Sequence, residues 1–179
     1  MTSAHKGTRN DPATPFYKRR WFRIAAELAL ILVVVFGVRK WQRRGIVSGE
    51  APPLAGMSVG GESLDLAAYR GAPVIVHFWG TWCPVCRAEQ HNIVALAQDH
   101  PLITVATYSG EPDAVRSYLA EHPIGAETLV DPKGDMARSY RVKAYPTTFV
   151  LDEDGAIQHV EVGYASELGL RFQMWWASL

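Results

Sequence analysis

The sequence predicts an α/β fold with a central mixed sheet flanked by helices, preceded by a single transmembrane helix. Three observations carry this prediction. An apolar run near the N-terminus has basic residues on both sides, strand-like and helical segments alternate after residue 57, and a tight turn joins the last two strands. Alternation predicts parallel strands with helical crossovers, and the closing hairpin makes the sheet mixed. A chain of 179 residues has room for one domain of ordinary size.

The apolar run, residues 28–38, lies inside a strongly basic N-terminal block. Residues 1–45 carry ten Lys and Arg against two acidic residues, a net charge of +8, whereas residues 46–179 have a net charge of −8. A basic block indicates either nucleic acid or an anionic membrane surface as partner. The apolar run decides for the membrane, because the 18 residues counted from Trp21 to Val38 would extend about 27 Å as a helix, close to the ~30 Å hydrocarbon core. We therefore expect no nucleic-acid partner.

The residues around this run favour an uncleaved anchor over a buried helix or a cleaved signal peptide. Trp21 and Trp41 lie at its ends, where aromatic rings prefer the headgroup level. Glu27 is the unfavourable residue, and the exit lacks the small residues of a cleavage site. The predicted organisation is a cytoplasmic basic tail (1–20), an anchor (21–41), a linker (42–56) and a folded domain (57–179). The positive-inside rule narrowly favours a single pass through the inner (cytoplasmic) membrane, with the C-terminal domain in the periplasm or outside.

The first half of the domain begins with a small hairpin at 58–65, because Gly60-Gly61 separates two short extended pieces. Residues 66–70 predict a helical turn. Residues 74–79 are β-branched and aromatic and predict a buried strand. A helix follows at 83–99, with Ile93, Leu96 and Ala97 on one face, and the next strand is predicted at 102–108.

The second half continues the alternation. A helix is predicted at 112–121, with Val115, Tyr118 and Leu119 facing inward, then a short strand at 128–130 and a helix at 133–140. The turn at 152–155 makes 147–151 and 157–162 a hairpin. The closing helix at 166–179 carries an apolar stripe of Leu168, Phe172, Trp175 and Trp176.

The two cysteines of the chain, Cys83 and Cys86, stand directly after the strand at 74–79. Cysteines three residues apart in a first helical turn are close enough for a disulfide. Backbone N–H groups and the helix dipole favour an anion at this position, so we expect Cys83 to be the exposed, low-pKa nucleophile. Cys86 would lie deeper and resolve the mixed disulfide. Pro84 suits the first helical turn, where its missing N–H costs nothing.

Other uses of the two thiols remain open. A structural disulfide would close a very small loop and gain little stability. A zinc site needs four ligands, whereas no second cysteine pair exists and the six histidines are scattered. A Cu(I) site formed by the two thiolates is conceivable. We predict no metal and no cofactor, with a copper-binding module as the alternative.

A second informative stretch is residues 142–155, where Tyr145-Pro146 leads into a strand. The residue before a proline is extended, and a strand beginning with proline beside a thiol site suggests a cis bond. Such a bond would turn the Tyr145 backbone toward the thiols, where it could pair with an extended substrate segment.

Trp82-Cys83-Pro84-Val85-Cys86, followed about sixty residues later by Tyr145-Pro146-Thr147-Thr148-Phe149, resembles the thioredoxin superfamily. The anchor, the leading hairpin, Arg87-Ala88-Glu89 and the extra strand–helix material before Lys143 resemble its membrane-anchored TlpA/ResA/DsbE branch, nearest to the suppressor-of-copper-sensitivity D type. The resemblance covers about residues 50–179. It implies a thioredoxin-like fold outside the cytoplasm, with Cys83, Cys86 and cis-Pro146 as the active site and Trp82, Pro84, Val85 and Tyr145 beside the substrate.

Three positions are compared with the family pattern; two depart from it and one matches. His77 stands where thioredoxins carry a buried Asp and anchored relatives often carry Asn. By the family alignment it faces the underside of the active-site helix near Cys86, either as a neutral proton acceptor or as a packed core histidine. His91 replaces the family's helix-kinking proline and reads as a solvated residue. Glu89 matches the family's acidic residue, with a surface role and a functional role both open.

The predicted function is that of a membrane-tethered thiol–disulfide oxidoreductase that exchanges disulfides with partner proteins. The resemblance favours a reductant supplied by a membrane electron donor. Three rivals are a Cu(I)-binding or copper-stress module, a haem-maturation thiol reductase and a thiol peroxidase. The Cys-x-x-Cys spacing and Trp82 argue against the peroxidase.

Overall fold

The structure, a computed structural model, describes residues 16–43 and 45–179 and divides into two compact units, Met1–Lys40 and Trp41–Leu179. Most of the predicted basic tail lies outside the described residues. Helix α1 spans Phe16–Arg43 and so contains the predicted anchor. Its described apolar side chains between Ile24 and Val38 are exposed. Among the described residues, we find no helix whose length and apolar character would suffice to cross a membrane.

The second unit is built on a six-stranded mixed sheet in the order β1-β8-β7-β4-β5-β6. Strands β4, β5 and β6 are parallel, and β7, β8 and β1 extend the sheet in antiparallel pairs. Strands β2 and β3 form a separate hairpin. The predicted mixed sheet is confirmed. The strands are β1 (Gly49–Glu50), β2 (Ala55–Met57), β3 (Ser63–Asp65), β4 (Val74–Trp79), β5 (Leu102–Thr107), β6 (Glu127–Asp131), β7 (Thr147–Leu151) and β8 (Ala156–Val162).

Helices cover both faces of this sheet, and side chains that alternate along each strand divide the core in two. Ile75 and Trp79 of β4 point to the face that also buries Ile93 and Leu170. Phe78 and its neighbours point to the opposite face, against the hairpin and Tyr140. The helices are a 3-10 turn (Leu66–Tyr69), α2 (Pro84–Ala97), α3 (Pro112–Glu121), α4 (Asp135–Ser139) and α5 (Glu167–Ala177).

Two segments differ from the sequence prediction. The predicted linker (42–56) contributes β1 and the start of β2 to the domain, and Leu54 within it is buried. On α5 the buried side chains are Leu170, Met174 and Ala177, whereas the predicted stripe is exposed, with Leu168 80% accessible. The Arg171–Asp99 ion pair, at 2.8 Å, joins α5 to the end of α2 and accompanies this orientation.

Candidate active site

The cysteine motif lies where β4 passes into α2. Cys83 is the N-cap of α2, and its sulfur accepts a hydrogen bond from the Cys86 backbone N–H at 3.1 Å. Pro84 occupies the first turn, as expected. Cys83 and Cys86 are joined by a disulfide with a Cα–Cα distance of 5.3 Å. The predicted proximity of the two sulfurs is therefore confirmed.

The expected difference in exposure between the cysteines is not observed in this oxidised state. Cys83 is 3% exposed and Cys86 is 5% exposed. Neither cysteine side chain therefore extends into solvent. Trp82, Pro84 and Val85 form the accessible surface of the motif instead.

Trp82 is held in place by the end of strand β5. Its indole Nε1 donates to the Thr107 carbonyl at 3.2 Å, and the Thr81 backbone N–H donates to the Ser109 hydroxyl at 3.0 Å. A Cβ at Gly80 would come within 2.6 Å of the Trp82 indole nitrogen, so this approach requires glycine. The sequence motif identified Trp82 as a site residue. The hydrogen bond that holds it to the end of β5 could not be predicted, because it joins residues far apart in the chain.

The Tyr145–Pro146 peptide bond is cis, as predicted. The Tyr145 ring meets Trp82 edge-on, with the ring centroids 5.4 Å apart, which places this segment beside the cysteine motif. The Pro146 carbonyl accepts from the Gly163 backbone N–H at 2.8 Å. Burial raises the pKa of Tyr145 to about 12, so its phenol is neutral at physiological pH.

His77 is buried on the α2 side of the sheet. Its Nδ1 lies 2.9 Å from the Thr148 hydroxyl, and burial lowers the pKa of the imidazole to about 3. His77, Trp79 and Cys86 line one small cavity of about 10 Å³, roughly the volume that one water needs. The structure thus brings His77 and Cys86 together around this space, with a neutral imidazole.

Glu89 is the residue of this region whose placement the sequence left open. It is fully buried one turn after Cys86, and neither carboxyl oxygen makes a hydrogen bond of normal geometry among the described residues. Burial raises the pKa of Glu89 to about 8; the Ala165 backbone opposes the shift and the Glu161 carboxylate adds to it. The sequence indication that Glu89 is buried was its spacing from Cys86 and Ile93, which puts the three residues on one face of the helix. His91 is exposed, as expected.

Fold and site together define a thioredoxin-like α/β protein with a cysteine pair at the start of its first sheet-covering helix. The sequence model of the AhpC/TSA family matches residues 47–160. The chain belongs to this family, and its class is that of the thiol–disulfide oxidoreductases of ResA/DsbE type.

Similar proteins agree with this class. The thioredoxin-like protein YneN of Bacillus subtilis is 31% identical over 149 residues, covering 75% of this chain and 87% of that protein. The thiol:disulfide interchange protein DsbE of Pseudomonas aeruginosa is 31% identical over 112 residues, 62% of each chain. A thioredoxin-family thiol:disulfide interchange protein of Chlorobium tepidum, 24% identical, superposes with a TM-score of 0.65 over 73% of this chain and 97% of that one, a likeness of fold.

Proposed function

We propose that the chain reduces disulfides in partner proteins through Cys83 and Cys86, on the outer side of the cytoplasmic membrane. The single observation that carries the proposal is the cysteine pair at the N-terminus of α2, flanked by Trp82 and Tyr145. The resemblance to the anchored branch of the superfamily supports the reductive direction. A membrane electron donor would return the pair to the dithiol state.

The exchange has two steps. The Cys83 thiolate, favoured by the N–H groups and dipole of α2, attacks a partner disulfide, forms a mixed disulfide and expels one partner thiolate. The Cys86 thiolate then attacks the Cys83 sulfur, which releases the second partner thiolate and forms the Cys83–Cys86 disulfide. Trp82, Pro84, Val85 and the Tyr145–Pro146 segment would contact the partner during both steps.

His77 would act in the second step by accepting the proton of the Cys86 thiol only transiently, directly or through one water in the cavity that they share, because an imidazole with a pKa of about 3 does not hold it. A neutral imidazole can accept a proton without adding a negative charge beside the forming thiolate. In stopped-flow measurements, His77→Ala should leave the attack by Cys83 nearly unchanged and slow resolution by roughly tenfold to a hundredfold. His77→Asn is the matched variant, because its amide can replace the contact with Thr148. Equal slowing of both steps would assign His77 to the core.

The tether is the part of the proposal that concerns α1. Its described apolar side chains between Ile24 and Val38 are exposed, and basic residues flank them in the sequence. We expect the full chain to stay in the membrane pellet after carbonate washing. Alkaline phosphatase fused after Leu179 should be active in a bacterial host, and green fluorescent protein at the same point should stay dark. The opposite pair of results would reverse the orientation.

Insulin reduction by the purified full chain tests the activity itself. Turnover that disappears in Cys83→Ser supports the proposal. A Cu(I) titration in parallel covers the rival use of the thiols. Tight Cu(I) binding without insulin reduction would replace the oxidoreductase by a copper-binding module.

A further inference from the structure

Tyr108, just after β5, has a backbone conformation that is unusual for a bulky residue. Its φ is +51°, a left-handed value that costs non-glycine residues energy and that clusters at functional sites. The Tyr108 backbone N–H donates to the Asp131 carbonyl at 3.0 Å, which holds the residue to the end of β6. This conformation could not be predicted from local sequence patterns, because it depends on contacts between distant strands.

The side chain of Tyr108 rests on a glycine that leaves room for it. A Cβ at Gly134 would overlap the phenol oxygen and would lie 2.8 Å from Cε1. Gly134 therefore lets the ring lie directly on the backbone before α4. Despite this support, Tyr108 remains 49% exposed, so one side of the ring faces solvent.

The neighbours of Tyr108 in the chain tie it to the cysteine motif. Thr107 accepts from the Trp82 indole, and Ser109 accepts from the Thr81 backbone N–H. Burial is the main cause of the raised pKa of Tyr145, and the Tyr108 phenol adds to it. Tyr145 in turn contacts the Trp82 ring. We call Trp82, Tyr108 and Tyr145 the aromatic rim.

We propose that the aromatic rim binds an apolar or aromatic side chain that flanks the cysteine of the partner, and that Tyr108 determines this preference. The proposal rests on the function proposed above, because the partner segment must enter next to Cys83. Rings held in place by backbone contacts lose little freedom on binding, so an exposed, fixed ring is a favourable contact for an apolar side chain. An extended partner segment with Phe or Leu beside its cysteine would be preferred over one with Ser.

The test uses the reduced full chain and two peptides that differ only in carrying Phe or Ser on both sides of one cysteine. That cysteine is bonded to thionitrobenzoate. Attack by Cys83 on the peptide sulfur expels the coloured thiolate, and Cys86 then releases the peptide thiol as the enzyme dithiol becomes a disulfide. The readout is the ratio of the two rate constants, Phe peptide over Ser peptide. A partly misfolded preparation changes both constants together and leaves this ratio intact.

We expect a ratio of about ten or more in the wild type, the value of a well-placed aromatic contact. Tyr108→Gly, which tolerates a positive φ, should bring the ratio close to one, and Tyr108→Phe should keep it. Gly134→Ala should lower the ratio by displacing the ring, and should have no further effect on the ratio in the Tyr108→Gly background. Phe172→Ala, an exposed aromatic on α5, is the matched control and should keep the wild-type ratio.

Two failures are distinguishable. If neither peptide reacts faster with the wild type than with Cys83→Ser, the proposed oxidoreductase function falls, and this inference falls with it. If both peptides react but Tyr108→Gly keeps the wild-type ratio, Tyr108 has no part in partner selection and only this inference is overturned.

Discussion

Two buried titratable groups, Glu89 on α2 and His77 on β4, should make the stability of the fold depend on pH in opposite directions. Burial raises the pKa of Glu89 to about 8 and lowers that of His77 to about 3. The folded-state pKa of Glu89 lies above its unfolded value, so its stabilising contribution is full below about pH 4.5 and is lost as pH rises toward 8. The folded-state pKa of His77 lies below its unfolded value, so its contribution is full above about pH 6.5 and is lost as pH falls toward 3.

The magnitude follows from proton linkage. One proton of difference between the folded and unfolded states changes the free energy of unfolding by about 1.4 kcal/mol per pH unit. Between about pH 4.5 and 6.5 the two slopes oppose each other, so these residues nearly cancel in the wild type. Replacing either residue leaves only the pH dependence of the other. The free energy of unfolding of each single variant should therefore change by roughly 3 kcal/mol over this window.

The assay is urea unfolding of the oxidised protein, followed by tryptophan fluorescence at several pH values and constant ionic strength. Glu89→Gln should become more stable as pH rises from 4.5 to 6.5, and His77→Asn should become less stable. Every other titrating group is common to both variants and cancels in their difference. Equal slopes for the two variants would refute the assignment of the buried protonated Glu89 and the buried neutral His77.

Three further predictions concern packing and chemistry. Leu170→Ala, which empties a fully buried position, should lower the free energy of unfolding by about 3 kcal/mol, whereas Leu168→Ala on the exposed side should change it by less than about 0.5 kcal/mol; urea titration compares them, and similar losses would contradict the orientation of α5. Gly80→Ala should displace the Trp82 ring and slow insulin reduction, and unchanged turnover would show that the ring can move without consequence. Cys86→Ser should accumulate covalent adducts with partner proteins on non-reducing gels, and their absence would argue against Cys86 as the resolving thiol.

Much of the fold followed from local patterns. Strand β4, helix α3 and strand β7 have the predicted bounds, because β-branched runs and Pro112 mark their ends in the sequence itself. Strand β1 was missed, since two residues carry no periodicity and form a strand only by pairing with Ile157 and Ala156 far along the chain. The face that α5 buries was equally a property of its contact with α2 rather than of its own apolar stripe.

In the candidate site, the cysteine spacing predicted that Cys83 and Cys86 lie close enough for a disulfide. The Tyr145-Pro146 segment predicted a cis bond. The structure contains both. The sequence left the burial of Glu89 open, because charged side chains are rarely buried and local spacing alone does not overrule that tendency. The rim residue Tyr108 was not identified at all. Its position depends on Asp131 and Gly134, which follow α3 in the chain.

The segment that precedes β4 covers part of both edges of the six-stranded sheet. Gly49 and Glu50 pair with part of β8 at one edge, and at the other edge Ser58 bridges to Leu129 while the Val59 N–H donates to the Thr128 carbonyl at 2.8 Å. Free sheet edges recruit strands from other chains and seed aggregates. The proposed function brings extended segments of partner proteins close to this sheet, and the covered edges leave such segments less free backbone to pair with. Loss of residues 45–59 should therefore promote co-precipitation with partner proteins.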